Sequence, residues 1–183
     1  DRSRPLRWLA GRMLRRRSFA SANLHVGCSS EALAAFAGPE EPGLRTTVVY
    51  CGTPLQAHGE WTGVHRRDAR AALGLPPDQP VVLHIGRHVA PKNPGFLLEA
   101  FAALRGRGVD AHLLMAGSGP LTPELSAAVA ARGLADRVQL LGDRDDVPRL
   151  LRAAGLLALP SLHEGLPVAV VEAQAAGVRC LIA

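Results

Sequence analysis

From residue 66 onward, short apolar runs alternate with longer segments whose apolar positions recur every three or four residues. The runs VVLHIG (81–86), AHLLMAG (111–117), RVQLLG (137–142), LLALP (156–160) and VRCLIA (178–183) suit strands. Apolar on consecutive positions, they read as strands covered on both faces. Between them, residues 95–106, 123–132, 146–154 and 167–176 carry helical spacing, and a helix over 66–74 ends at Gly74, where Pro76-Pro77 forbid its continuation. Strand–helix alternation with short turns predicts right-handed crossovers and an α/β fold with a doubly wound parallel sheet.

Upstream the pattern is weaker. Residues 5–20 place Leu6, Leu9, Met13 and Leu14 on one helical side. Residues 24–28 and 46–50 suit strands, and Ser29 or Ser30 offers a cap to a helix that stops at Gly38-Pro39. Residues 51–64 lack periodicity. We therefore expect residues 1–55 to be the remnant of one domain, 56–64 a linker, and 65–183 a second domain. The last strand has no closing helix, so truncation at the C-terminus is expected.

Composition changes this picture little. At 48% hydrophobic and 20% charged the chain can bury a core. No apolar run approaches the roughly 20 residues that span a bilayer, and no secretory signal opens the chain. Cys28, Cys51 and Cys180 are too scattered for a disulfide framework or zinc site, and a reducing cytoplasm is the default expectation. Charge is more informative. The net charge of +5 arises from seven arginines within the first seventeen residues, either a solvated face or a contact for anionic lipid. A nucleic-acid role is not expected, because aromatics do not interleave with these arginines. Of the 21 basic residues the only lysine is Lys92.

In doubly wound sheets ligands bind at the carboxyl ends of strands, so the strand-to-helix turns are the candidate sites. Gly86 ends a strand and is followed by Arg87 and Lys92, a planar fork and a point charge that suit a diphosphate or form a solvated basic loop. Gly117-Ser118-Gly119 could approach a phosphate or simply turn the chain. Asp143 and Asp145 have metal-binding spacing, yet Asp145 or Asp146 is better read as a helix cap, and no metal or cofactor is expected. Glu164-Gly165-Leu166-Pro167 leads into a helix bearing Glu172 among apolar residues, with Pro167 in its first turn. Two readings stand side by side. Glu172 could hold ribose hydroxyls and Glu164 a ligand, or Ser161 to Glu164 could be a capping box and Glu172 face solvent.

Together these turns resemble the family-four glycosyltransferases, retaining enzymes with two Rossmann-like domains facing across a cleft (the GT-B fold). The resemblance is carried by Gly86-Arg87, Lys92-Asn93, Gly117 to Pro120, Leu141-Gly142 before Asp146-Val147, and Glu164-Gly165-Leu166-Pro167 with Glu172. Its wording is most similar to bacterial capsular and exopolysaccharide enzymes. Cys51 departs from the family's interdomain asparagine. The resemblance implies a nucleotide-sugar donor, with UDP as the nucleotide, and a glycan or lipid-linked acceptor at the inner face of the membrane. Arg87 and Lys92 would neutralise the diphosphate, Glu172 would hold the ribose, and Glu164 would contact sugar hydroxyls. Gly86, Leu141 and backbone N–H groups across Gly165, Leu166, Pro167 and Val168 would complete the donor site, and the chain alone is expected to be inactive. A non-catalytic nucleotide-binding module and an epimerase or phosphorylase of similar build remain the alternatives. A dinucleotide oxidoreductase is disfavoured, since no G-x-G-x-x-G follows the first strand of the regular region.

Overall fold

A computed structural model describes residues 22–37, 45–53 and 63–183, so the expected helix over 5–20 and most of the expected linker lie outside the described residues. The chain divides into two compact units, residues 1–51 and 52–183. In the first, strand β1 (His25–Gly27) pairs in parallel with β2 (Thr46–Val48), and helix α1 (Ser30–Ala37) connects towards β2. The Ser29 hydroxyl accepts the Ala32 N–H at 3.0 Å, as a capping serine should.

The second unit runs α2 (Gly63–Ala72), β3 (Val81–Ile85), α3 (Pro94–Gly106), β4 (His112–Ala116), α4 (Thr122–Ala131), β5 (Val138–Gly142), α5 (Val147–Ala153), β6 (Leu156–Leu159), α6 (Val168–Ala175) and β7 (Arg179–Ile182). The α/β alternation is as the hydrophobic pattern predicts. Helix α2 starts at Gly63, inside the stretch expected to be linker. The five strands are all parallel, in the order β5-β4-β3-β6-β7.

Alternating side chains of each strand feed two separate cores, which is why the strands are apolar throughout. On one face Leu83, Leu114, Leu157 and Leu159 pack with Ala69 of α2, Leu150 and Leu151 of α5, and Val170 and Ala173 of α6. On the other, Leu113, Met115 and Ala158 pack with Leu97, Leu98 and Phe101 of α3 and Leu125 and Val129 of α4. Arg70, in the last turn of α2, is buried, and its Nε donates to the Ala153 carbonyl at 3.0 Å, which ties α2 to the end of α5. No helix among the described residues is long and apolar enough to cross a membrane.

From β3 the chain builds outward through β4 to β5, then returns to the other side of β3 as β6 and β7. Neighbouring turns after β3 and β6 therefore leave the sheet in opposite directions. This is the topological switch point, where a crevice opens beyond the carboxyl ends of the strands.

Candidate functional site

The turn after β3 is shaped by residue types that restrict it. Gly86 leaves the strand, and residues Ala90–Lys92 form one 3₁₀ turn with Pro91 inside it. Asn93 then takes a left-handed conformation (φ 51°), which asparagine tolerates better than most residues, and Pro94 starts α3. The turn after β6 is held against it by backbone, because the Leu162 N–H donates to the Pro91 carbonyl at 2.8 Å.

That contact sets the central feature of the crevice. Lys92 Nζ lies 2.5 Å from Glu164 Oε1, the two side chains being 25% and 18% exposed. The residues are 72 apart in sequence. Ser161 to Glu164 is consequently not a capping box. Helix α6 begins only at Val168, no side chain caps it, and the Ser161 hydroxyl is buried without a partner among the described residues. Pro167 stands one residue earlier than expected, as the cap of α6, where its carbonyl accepts the Val170 N–H at 2.9 Å. Lacking an N–H, Pro167 leaves only Gly165, Leu166 and Val168 of that segment as backbone donors. Glu172 is half-buried on α6, and its carboxylate makes no hydrogen bond or ion pair among the described residues. Arg87 is exposed and does not join the Lys92–Glu164 pair, and His163 is also exposed.

Two expected positions turn out to serve the fold. The Gly86 N–H donates to the Ala116 carbonyl at 3.0 Å, and a Cβ at Gly86 would meet His84 Nε2 at 3.3 Å and Lys92 Cδ at 3.8 Å. Its small size therefore admits neighbouring side chains, a requirement independent of any ligand. Leu141 packs its side chain against the sheet's core, so only its backbone remains for a ligand. The glycines of Gly117-Ser118-Gly119 likewise dock one turn onto another: a Cβ at Gly117 would overlap the Gly86 carbonyl, and one at Gly119 would overlap that of His88. The His88 N–H donates to Ser118 and the Leu121 N–H to His88, at 2.9 and 3.0 Å. Of the acidic residues after β5, Asp143 accepts from Ser118 Oγ at 2.8 Å and Asp146 is paired with Arg144 and Arg149. Asp146 occupies the cap position of α5, but its carboxylate is committed to those arginines and makes no capping bond.

Three polar residues at this edge are given no ligand role in the sequence reading. His84, His88 and Ser161 are buried, and the Nε2 atoms of both histidines lack partners among the described residues. The available signal was a histidine inside the otherwise apolar run of β3. His84 Nδ1 lies 3.0 Å from the Ala158 carbonyl, which can only accept, so Nδ1 carries the proton and Nε2 is a bare acceptor in the neutral ring. Burial lowers the pKa of His84, outweighing the Ala158 carbonyl, which favours the charged form. Burial also lowers those of His88 and His112. A histidine whose folded pKa lies below its unfolded value of about 6.5 takes up its proton first in the unfolded chain. The stability it supports is complete above that value and is lost as pH falls. The melting temperature should accordingly decline on acidification from about pH 7.5 to 5.5, and a flat profile would contradict the assignment.

The fold is that of GT-B glycosyltransferase domains. The chain aligns with the crystal structure of Anabaena Alr3699/HepE in complex with UDP at a TM-score of 0.73 and 25% identity, over 89% of this chain and 45% of that one. The family model described as "Glycosyl transferases group 1" matches residues 65–183, and the chain belongs to that family. It is 40% identical over 140 residues to a D-inositol 3-phosphate glycosyltransferase of Mycobacterium sp. strain KMS, covering 73% of this chain and 30% of that protein. It is 37% identical over 113 residues to the alpha-D-kanosaminyltransferase of Streptomyces kanamyceticus, covering 61% and 29%. The chain thus spans less than a third of the length of these relatives.

Proposed function

We propose that residues 52–183 form the donor half of a retaining glycosyltransferase, binding a nucleotide sugar at the crevice between β3 and β6. The observation that carries this reading is the meeting of Lys92 and Glu164 at the switch point. A lone lysine and a glycine-adjacent glutamate are held together there by loops tied through their backbones. Arg87 and Lys92 would neutralise the diphosphate, so that the leaving group is stabilised by fixed positive charge with no metal or other cofactor. Glu172, half-buried and unpaired on α6, would accept the ribose hydroxyls. Glu164 would accept hydroxyls of the sugar, and the N–H groups of Gly165, Leu166 and Val168 would face phosphate or sugar at the start of α6.

UDP is the proposed nucleotide, supported by the UDP bound to HepE. The proposed acceptor is a growing polysaccharide or a lipid-linked glycan, reached from the cytoplasmic side of the membrane with the arginine-rich segment 1–17 against anionic lipid. Binding is the readout suited to the donor half. In a thermal-shift panel of UDP, GDP, ADP and their sugars, UDP and UDP-sugars should raise the melting temperature at millimolar ligand. No shift with any of them would remove the donor-site reading.

A further inference from the structure

Resting on that reading, one feature of the crevice goes further. Lys92 and Glu164 are assigned to different parts of the donor, one to the diphosphate and one to the sugar, yet in this structure they bind each other at 2.5 Å. A carboxylate that close to the ammonium stands where a phosphate oxygen gains most from it. The pair is largely buried, so water screens it less than it would a surface pair. A diphosphate arriving at Lys92 meets the repulsion of Glu164, or must displace it from its partner.

We infer that Glu164 is the residue that makes this site prefer a nucleotide sugar to the free nucleoside diphosphate. Paired with Lys92, the carboxylate holds the position at the ammonium that a phosphate oxygen would take. A bare diphosphate displaces it and leaves it facing a second anion with nothing to accept. A nucleotide sugar displaces it equally but supplies hydroxyl donors in return, so the lost ion pair is replaced by hydrogen bonds. Once the sugar has left, those donors are gone, and re-formation of the Lys92–Glu164 pair favours release of the diphosphate. Glu164 thereby couples recognition of the sugar to occupancy of the phosphate position. The loops fix this geometry, since the Leu162 N–H to Pro91 carbonyl bond holds the two turns, and with them the two residues, within reach of each other.

The test is titration calorimetry of UDP and UDP-glucose against the 183-residue chain, with Glu164→Gln, Glu164→Ala and Asp145→Asn. Asp145 is exposed in the turn after β5, so its variant reports a change of net charge alone. Both Glu164 variants should bind UDP about three- to tenfold more tightly than the wild type, as expected on removing a competing partner of modest strength. UDP-glucose should bind no more tightly than before, so the preference for the sugar nucleotide collapses. Unchanged or weaker UDP binding in both Glu164 variants overturns the inference and leaves the donor-site reading intact. An equal gain in Asp145→Asn also overturns it, because bulk charge then explains the effect. Binding of neither ligand by the wild type overturns both.

Discussion

Replacing Lys92 with alanine should weaken UDP binding by roughly 10- to 100-fold, the range of a lost charge-assisted hydrogen bond to an anion. Two effects act in the same direction. The diphosphate loses its compact cation, and Glu164 loses the partner that neutralises it in the crevice. The unpaired carboxylate then repels the incoming phosphates. Lys92→Arg should recover only part of the loss. A guanidinium would pair with Glu164 in a two-pronged geometry and be harder to detach. Neither variant should unfold the chain, because this partly buried pair lies outside both hydrophobic cores and Glu164 keeps some access to water once Lys92 is replaced. Calorimetric titration with UDP, alongside a melting curve, separates the two outcomes. Wild-type affinity in Lys92→Ala would remove Lys92 from the site.

The largest loss of stability is expected at a glycine. Gly117 has φ 127°, and a Cβ there would overlap the Gly86 carbonyl, which belongs to the backbone and cannot rotate away. Gly117→Ala combines strain of about 1–3 kcal/mol with displacement of the turn after β3. A total near 3 kcal/mol is a large share of the roughly 5–15 kcal/mol that stabilises a domain. The melting temperature should fall by about 10 °C. Gly108, in the loop before β4, is the natural comparison. Its φ is 84°, but nothing lies within 4 Å of the added Cβ. Gly108→Ala should cost only about 1 kcal/mol, from conformation alone. Equal losses at the two sites in urea unfolding would show that the contact with Gly86 is unimportant.

The contrast between these glycines bears on how the turns are read. G-x-G after a strand fits phosphate binding and a tight turn equally well in sequence. Nothing local distinguishes a glycine that admits a ligand from one that admits another loop of the same chain. At Gly117 and Gly119 the visitor is the turn after β3, which is 31 residues away in the sequence and adjacent only because β3 pairs with β4. The serine and glutamate of Ser161 to Glu164 pose the same problem. Their spacing matches a capping box, but a cap requires the helix to begin beside them, and α6 begins at Val168.

The hydrophobic pattern by itself determined the α/β class, the alternation of elements and the apolar character of each strand, because a strand between two helical layers is buried on both sides wherever it lies in the sheet. Residue type alone also marked Lys92, as the single lysine, and Glu172, as a carboxylate on an apolar helix. Only the tertiary structure decided the strand order β5-β4-β3-β6-β7, since parallel strands of similar composition carry no local record of their neighbours. That order set the turn after β6 beside the turn after β3. It gave Glu164 to Lys92 instead of to a helix terminus, and it buried His84 against the carbonyl of Ala158. Attraction between charges depends on their distance in space, and that distance exists only once the sheet has formed.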